Sequence, residues 1–136
     1  MGGVPHHGLG RGFKVGKEEI VGLIVALERF CEGYDGVANA ALAKRLSVIA
    51  QAITDCPGIS ACVKPAAETG GVPMLELALD DEALAFSRDL QRHDPPIHLS
   101  QHHATRGILL IDPQALQPDD DAEIAQTIRA LSRRNL

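Results

Sequence analysis

Residues 55–79, DCPGISACVKPAAETGGVPMLELAL, decide the reading of the fold. Asp55-Cys56-Pro57-Gly58 is a stop followed by a turn, because proline cannot continue a helix and glycine accepts turn backbone. Before it the apolar spacing is helical, and after it the period is two. Ile59, Ala61 and Val63 alternate with Ser60, Cys62 and Lys64, which predicts a strand. Gly70-Gly71 closes a loop, and Leu75, Leu77 and Leu79 mark a second strand, expected antiparallel to the first.

Upstream, Leu42, Leu46, Ile49 and Ile53 form the stripe of a helix over 38–54, with Lys44, Arg45 and Gln51 expected outside. An earlier helix starts near Lys17. Glu18 and Glu19 suit its N-terminal dipole, Ile20, Leu23, Ile24 and Leu27 give the apolar face, Val21 and Val25 fill the sides, and Gly33 is its stop. A helix apolar over more than one face wants covering on more than one side. The first 16 residues hold six glycines and read as a flexible lead-in, expected to be the most mobile segment.

Downstream, Asp80 or Asp81 caps a third helix from Glu82 to about Arg92, which Pro95-Pro96 stops. Two short strands, 97–100 and 107–111, are expected around the polar turn 101–105, the second ending at Asp112-Pro113. Asp119, Asp120 and Asp121 read as the solvated cap of a last helix with the stripe Ile124, Ile128 and Leu131, and Arg129, Arg133 and Arg134 favour its C-terminal end. The order α-α-β-β-α-β-β-α predicts an α+β domain: a two-layer arrangement of antiparallel sheet with helices on one face, spanning 17–136 behind the 1–16 lead-in.

Composition narrows the function. The 136 residues are 45% apolar, and 13 Lys+Arg against 18 Asp+Glu leave a net charge of −5. An acidic chain with only Tyr34, Phe13, Phe30 and Phe86 as aromatics offers neither a basic patch nor a base-stacking platform, so no nucleic acid is expected. The apolar run 20–27 falls short of the roughly 20 residues of a membrane span. No signal peptide is evident, and three unpaired cysteines (Cys31, Cys56 and Cys62) fit a reducing compartment, so a cytoplasmic location is expected. Cys31 and Cys62 fall in helix and strand patterns where a free cysteine behaves as a small buried hydrophobe.

The chemical motifs are sparse. His6, His7, His98, His102 and His103 lack acidic or cysteine partners at ligand spacing, so no metal site is expected. Gly8-Leu9-Gly10-Arg11-Gly12 has neither dinucleotide-loop nor Walker spacing, though glycines carrying Arg11, Lys14 and Lys17 into a helix N-terminus suit an anion. No nucleophile triad emerges, and no catalytic residue is assigned.

The run Gly10-Arg11-Gly12-Phe13-Lys14-Val15-Gly16-Lys17-Glu18-Glu19-Ile20-Val21-Gly22-Leu23 resembles a segment of the selenocysteine synthase-like group of pyridoxal-phosphate enzymes. These are the relatives of L-seryl-tRNA selenium transferase that include D-glucosaminate-6-phosphate ammonia lyase-like proteins. There the run G-R-x-x-K-V-G-K-E-E-I-x-G-L opens the helix leading from the large cofactor domain into the C-terminal domain. Pro57-Gly58-Ile59, Pro73-Met74-Leu75-Glu76-Leu77, Pro95-Pro96-Ile97, Ile111-Asp112-Pro113 and Leu116-x-Pro118-x-Asp120 extend the resemblance to the C-terminus.

The resemblance implies the small C-terminal domain of a fold-type I pyridoxal-phosphate lyase or transferase. In that group the large domain supplies the Schiff-base lysine and the phosphate cup, and both are expected to be missing from this chain. Pyridoxal phosphate is therefore expected in the parent enzymes and not bound by this chain alone, which should be inactive by itself. The resemblance also implies a small amino-acid-like substrate, with Arg11 and Arg106 as candidate carboxylate or phosphate binders, since a guanidinium fork binds either bidentately. The helix from Lys17 would meet a large cofactor-binding domain or a second copy. The alternative is a non-catalytic α+β module that binds a small ligand or another protein.

Overall fold

The computed structural model describes residues 14–79 and 82–133, the side chain of Tyr34 excepted. The chain divides into two compact units, Met1–Gly36 and Val37–Leu136. The Asp80 and Asp81 caps, Arg134 and most of the glycine lead-in lie outside the described residues.

In the first unit, α1 (Lys17–Cys31) begins where the sequence places it. The Gly16 N–H donates to the Glu19 carboxylate at 2.7 Å, satisfying one of the donors that a helix start leaves free. The helix ends at Glu32-Gly33, with Gly33 at φ +76°, a left-handed conformation that glycine adopts without penalty. Every side chain of α1 is exposed, Leu23 by 62% and Phe30 by 64%. Cys31 shares that exposure, so the expectation of a buried thiol fails there: it sits on the same exposed stripe.

α2 (Tyr34–Ala52) starts four residues before the expected position, because the left-handed Gly33 lets a new helix begin at once. From Val37 onward the second unit is built on its stripe: Leu46, Ile49 and Ile53 are fully buried and Leu42 partly so. β1 (Ile59–Lys64), β2 (Met74–Leu79) and β3 (Ile108–Ile111) form one antiparallel sheet in that order. The register pairs Ala61 with Leu77 and Leu77 with Leu109. Leu75, Leu77 and Leu109 are inaccessible to solvent, whereas Glu76, Ala78 and Leu110 on the opposite face are half-buried. That alternation gives the expected α+β architecture. α4 (Ala83–Gln91) and α5 (Asp120–Ser132) bring Phe86, Leu90, Ile124 and Ile128 into the same core. Cys56 is buried beside them, while Cys62 points from β1 to the open face of the sheet and is exposed.

Three local differences from the sequence reading have physical causes. The loop after β1 contains a short helix, α3 (Ala66–Thr69), held by the Thr69 hydroxyl, which donates to the Val72 carbonyl. The strand expected over 97–100 is reduced to one bridge, Ser100 with Leu110, at 2.9 and 3.1 Å. Pro95 and Pro96 carry no N–H, and the Ile97 N–H donates to the Leu90 carbonyl at 3.0 Å, closing the end of α4 rather than a sheet. Ile97 and Leu99 are nevertheless buried with His98 outward, which is the alternation that suggested a strand. The turn before β3 is the 3-10 segment Ala104–Arg106, closed by Gly107 at φ +75°. Among the described residues no helix is long and apolar enough to cross a membrane, and no buried polar side-chain atom lacks a partner.

Candidate functional site

The two arginines expected to bind substrate are not brought together in the described structure. Arg11 lies outside the described residues. Arg106 ends the 3-10 turn two residues before β3 and is exposed. Its guanidinium makes no hydrogen bond or ion pair with the described residues, so it is available to an outside anion.

The side chain that organises this unit was expected to be solvated. Arg45, on α2, is only 22% exposed and donates from Nε to both Asp121 oxygens at 2.6 and 2.8 Å. Its Nη1 donates to the Leu116 carbonyl at 2.8 Å, and its Nη2 to that of Gln117. The hydrogen bond to Asp121 comes first among the causes that raise the Arg45 pKa above the ordinary arginine value, against an opposing desolvation. The acidic run at the start of α5 is therefore not a purely solvated cap. Asp121 is held by Arg45, Asp120 accepts the Gln117 N–H at 2.8 Å, both are half-buried, and Asp119 is the exposed one of the three.

Beside this anchor lies a cleft of about 350 Å³ between the 95–100 segment, the end of β3 and the first turns of α5. Pro96, Leu99, Leu110, Leu116 and Ile124 supply apolar wall. His98, Ser100, Asp112, Asp120 and Glu123 supply polar groups, with no lysine or arginine among the lining residues. A second cleft, about 370 Å³, lies over the open sheet face near Met74, Leu110 and His103. There Lys64 pairs with Glu76 across the strands at 3.7 Å. His98, His102 and His103 are exposed, and among the described residues no three His, Cys, Asp or Glu side chains are grouped to hold a metal ion.

The described residues do not fit a Schiff-base cofactor site. Of the chain's four lysines, Lys14, Lys17 and Lys44 are exposed, and Lys64 is engaged by Glu76. A stable internal aldimine needs an enclosed lysine beside phosphate donors and a carboxylate for the pyridine nitrogen, and none of the four stands in such surroundings. Sequence reasoning missed the 350 Å³ cleft, and the only local sign of it was Pro95-Pro96, which keeps 97–100 from zipping onto β3.

No family model matches the chain. It is 26% identical over 133 residues to the 5'-C-glycyluridine monooxygenase-decarboxylase of a Streptomyces species, a match covering 93% of this chain and 33% of that protein. It is 24% identical over 132 residues to D-glucosaminate-6-phosphate ammonia lyase of Salmonella typhimurium, covering 93% and 35%. The solved structure of a D-glucosaminate-6-phosphate ammonia-lyase superposes on 91% of this chain with a TM-score of 0.63 at 22% identity, using 34% of its own length. The chain thus spans about a third of the relatives that it matches, is their homologue at low identity over that portion, and shares the fold of that part of the lyase. The resemblance read from the sequence is borne out to this extent.

Proposed function

We propose that this chain acts as the C-terminal domain of a pyridoxal-phosphate-dependent lyase or transferase of the selenocysteine synthase-like group, and that a large domain supplies the cofactor site. The observation that carries the reading is the extent of the matches: nearly all of this chain aligns with only a third of two relatives whose names denote different reactions. A shared third beneath different chemistries suits a domain that shapes and closes a site rather than one that performs the bond-breaking step. The placement of the lysines supports the same division of labour, because pyridoxal phosphate supplies carbanion stabilisation only once a lysine holds it. In this reading the substrate is a small amino-acid-like anion, and Arg106, exposed and without a partner among the described residues, joins Arg11 in binding its carboxylate or phosphate. The exposed stripe of α1 is covered by the large domain or by a second copy, and the protein works in the cytoplasm.

Two experiments test this reading. The coding DNA upstream of Met1 should encode a lysine-bearing cofactor domain, in the same frame or as a separate chain. An unrelated neighbour would favour the non-catalytic binding module instead. In the second, the purified chain is incubated with pyridoxal phosphate, reduced with borohydride and mapped. Scattered substoichiometric labelling is expected, and stoichiometric labelling of one lysine with turnover of an amino acid would overturn the proposal.

A further inference from the structure

The 350 Å³ cleft beside α5 has a chemical character of its own. Ser100 and Leu110 form the single bridge between the 95–100 segment and β3. Beyond that bridge the two backbones flank an open space instead of continuing the ladder, and its walls are the apolar side chains named above. The carboxylates lining the space meet no lysine or arginine among the described lining residues. Asp112 already accepts the Gln114 N–H at 2.9 Å, and Asp120 accepts that of Gln117 at 2.8 Å. The Glu123 carboxylate, half-buried, has no ion-pair or hydrogen-bond partner among the described residues, and neither has the Ser100 hydroxyl. Arg45, on the neighbouring α2, is held by Asp121 and the carbonyls of Leu116 and Gln117 and does not line the cleft, so it does not pair with Glu123.

We propose that this cleft binds a small organic cation, a primary ammonium carried on a compact apolar body. The ammonium would meet Glu123, the free oxygen of Asp112 and the Ser100 hydroxyl, while the apolar body lies against Leu99, Leu110 and Leu116. Three properties select this class of ligand. The volume lies in the small-molecule range, near its lower end. Three carboxylates repel an anion, which separates this site from the anionic substrate proposed above. A neutral apolar molecule would leave the Glu123 carboxylate unanswered, whereas an ammonium supplies the donor it lacks. The cleft lies wholly within Val37–Leu136 and uses neither α1 nor either candidate arginine. Its failure would leave the domain assignment intact, and the converse also holds.

The test titrates the full chain, labelled with nitrogen-15, with benzylammonium, benzyl alcohol and benzoate at matched ionic strength. Benzylammonium is expected to shift the amides of 97–100, 110–112 and 120–124 saturably. The alcohol should bind about tenfold more weakly, the worth of one charge-assisted hydrogen bond, and benzoate should leave these amides in place. Glu123→Gln, at a half-exposed helix position that tolerates the change, should weaken benzylammonium about tenfold and leave the alcohol unaffected. Glu123→Lys should abolish ammonium binding and admit benzoate. Equal affinity for ammonium and alcohol, shifts centred outside the cleft, no saturable binding, or an unaltered Glu123→Gln variant with a native-like spectrum would each overturn the proposal.

Discussion

Replacing Arg45 by Met removes the side chain that ties α2 to the start of α5 and keeps most of its aliphatic stem. Three groups lose their partner: the Asp121 carboxylate, held at 2.6 and 2.8 Å, and the carbonyls of Leu116 and Gln117. Hydrogen bonds to charged groups contribute about 1.5–3 kcal/mol each when solvent cannot replace them. Arg45 and Asp121 are each 22% exposed, so water recovers part of that loss, especially at the carbonyls. The expected destabilisation is about 2–3 kcal/mol, roughly a quarter of the stability of an ordinary domain. Arg45→Lys keeps the charge but loses the fork, and should cost about 1–2 kcal/mol. Urea unfolding followed by far-ultraviolet circular dichroism gives these values by linear extrapolation. A double-mutant cycle with Asp121→Asn isolates the pair and should return about 1–2 kcal/mol of coupling, above the 0.2–1 kcal/mol typical of exposed ion pairs. The pH dependence has a definite sign. The folded-state pKa of Arg45 is raised above its unfolded value, chiefly by the Asp121 hydrogen bond, so its contribution is complete below the ordinary arginine range and is lost only above it. Mild alkali should therefore leave the Arg45 contribution untouched. If Arg45→Met unfolds within about 0.5 kcal/mol of the parent, or the cycle returns no coupling, the network is not an energetic link and the reasoning fails.

Other outcomes follow from burial. Leu77→Ala, in the middle of the central strand with no exposed surface, should destabilise the protein by about 2–5 kcal/mol in the same urea assay, whereas Leu23→Ala on α1 should change it by less than about 0.5 kcal/mol. Cys31 and Cys62 should react with a thiol reagent in the folded protein, and Cys56 only at the rate of unfolding; three equally fast thiols would contradict the core described here. Sedimentation of the isolated chain should show concentration-dependent association that Leu27→Glu abolishes, and a strict monomer at all concentrations would remove the argument from the exposed stripe of α1.

The parts legible in the sequence are those whose signals are local. β1 and β2 were readable because Ile59 to Val63 and Leu75 to Leu79 alternate in a pleat, and because one face packs on the core the period survives in burial. The expected strand at 97–100 shows the same alternation and pairs only at Ser100. Side-chain burial sets the pattern there, but backbone donors set the ladder, and Ile97 gives its own to Leu90. Arg45 and Asp121 read as solvated because each sits on a polar helix face, and nothing near either residue announces a partner 76 positions away. Cys31 was misjudged for a related reason: an apolar stripe identifies a surface that wants cover, not one that has it. The cleft beside α5 escaped notice because it lies where three segments fail to close, and the sequence pattern marks what packs rather than what stays open.

The exposed apolar stripe of α1 bears on what would cover it under the proposed function. Ile20, Leu23, Ile24, Leu27 and Phe30 are each about half exposed, so covering them recovers roughly 1 kcal/mol apiece, or about 5 kcal/mol for the helix. Two copies pairing through this stripe would gather about 10 kcal/mol, against an association cost of about 4–15 kcal/mol for freedom lost at the standard state. A dimer held by α1 alone is therefore weak and responds to concentration. A covering domain on the same chain avoids most of that cost, because the tether already holds the surfaces at an effective concentration of millimolar order. A 15-residue helix is marginal by itself in water, so α1 gains most from a partner that is always present. Under the proposed function this favours a tethered large domain over a second copy as the cover of α1, and any association of the isolated chain through α1 is then expected to be weaker than the tethered contact.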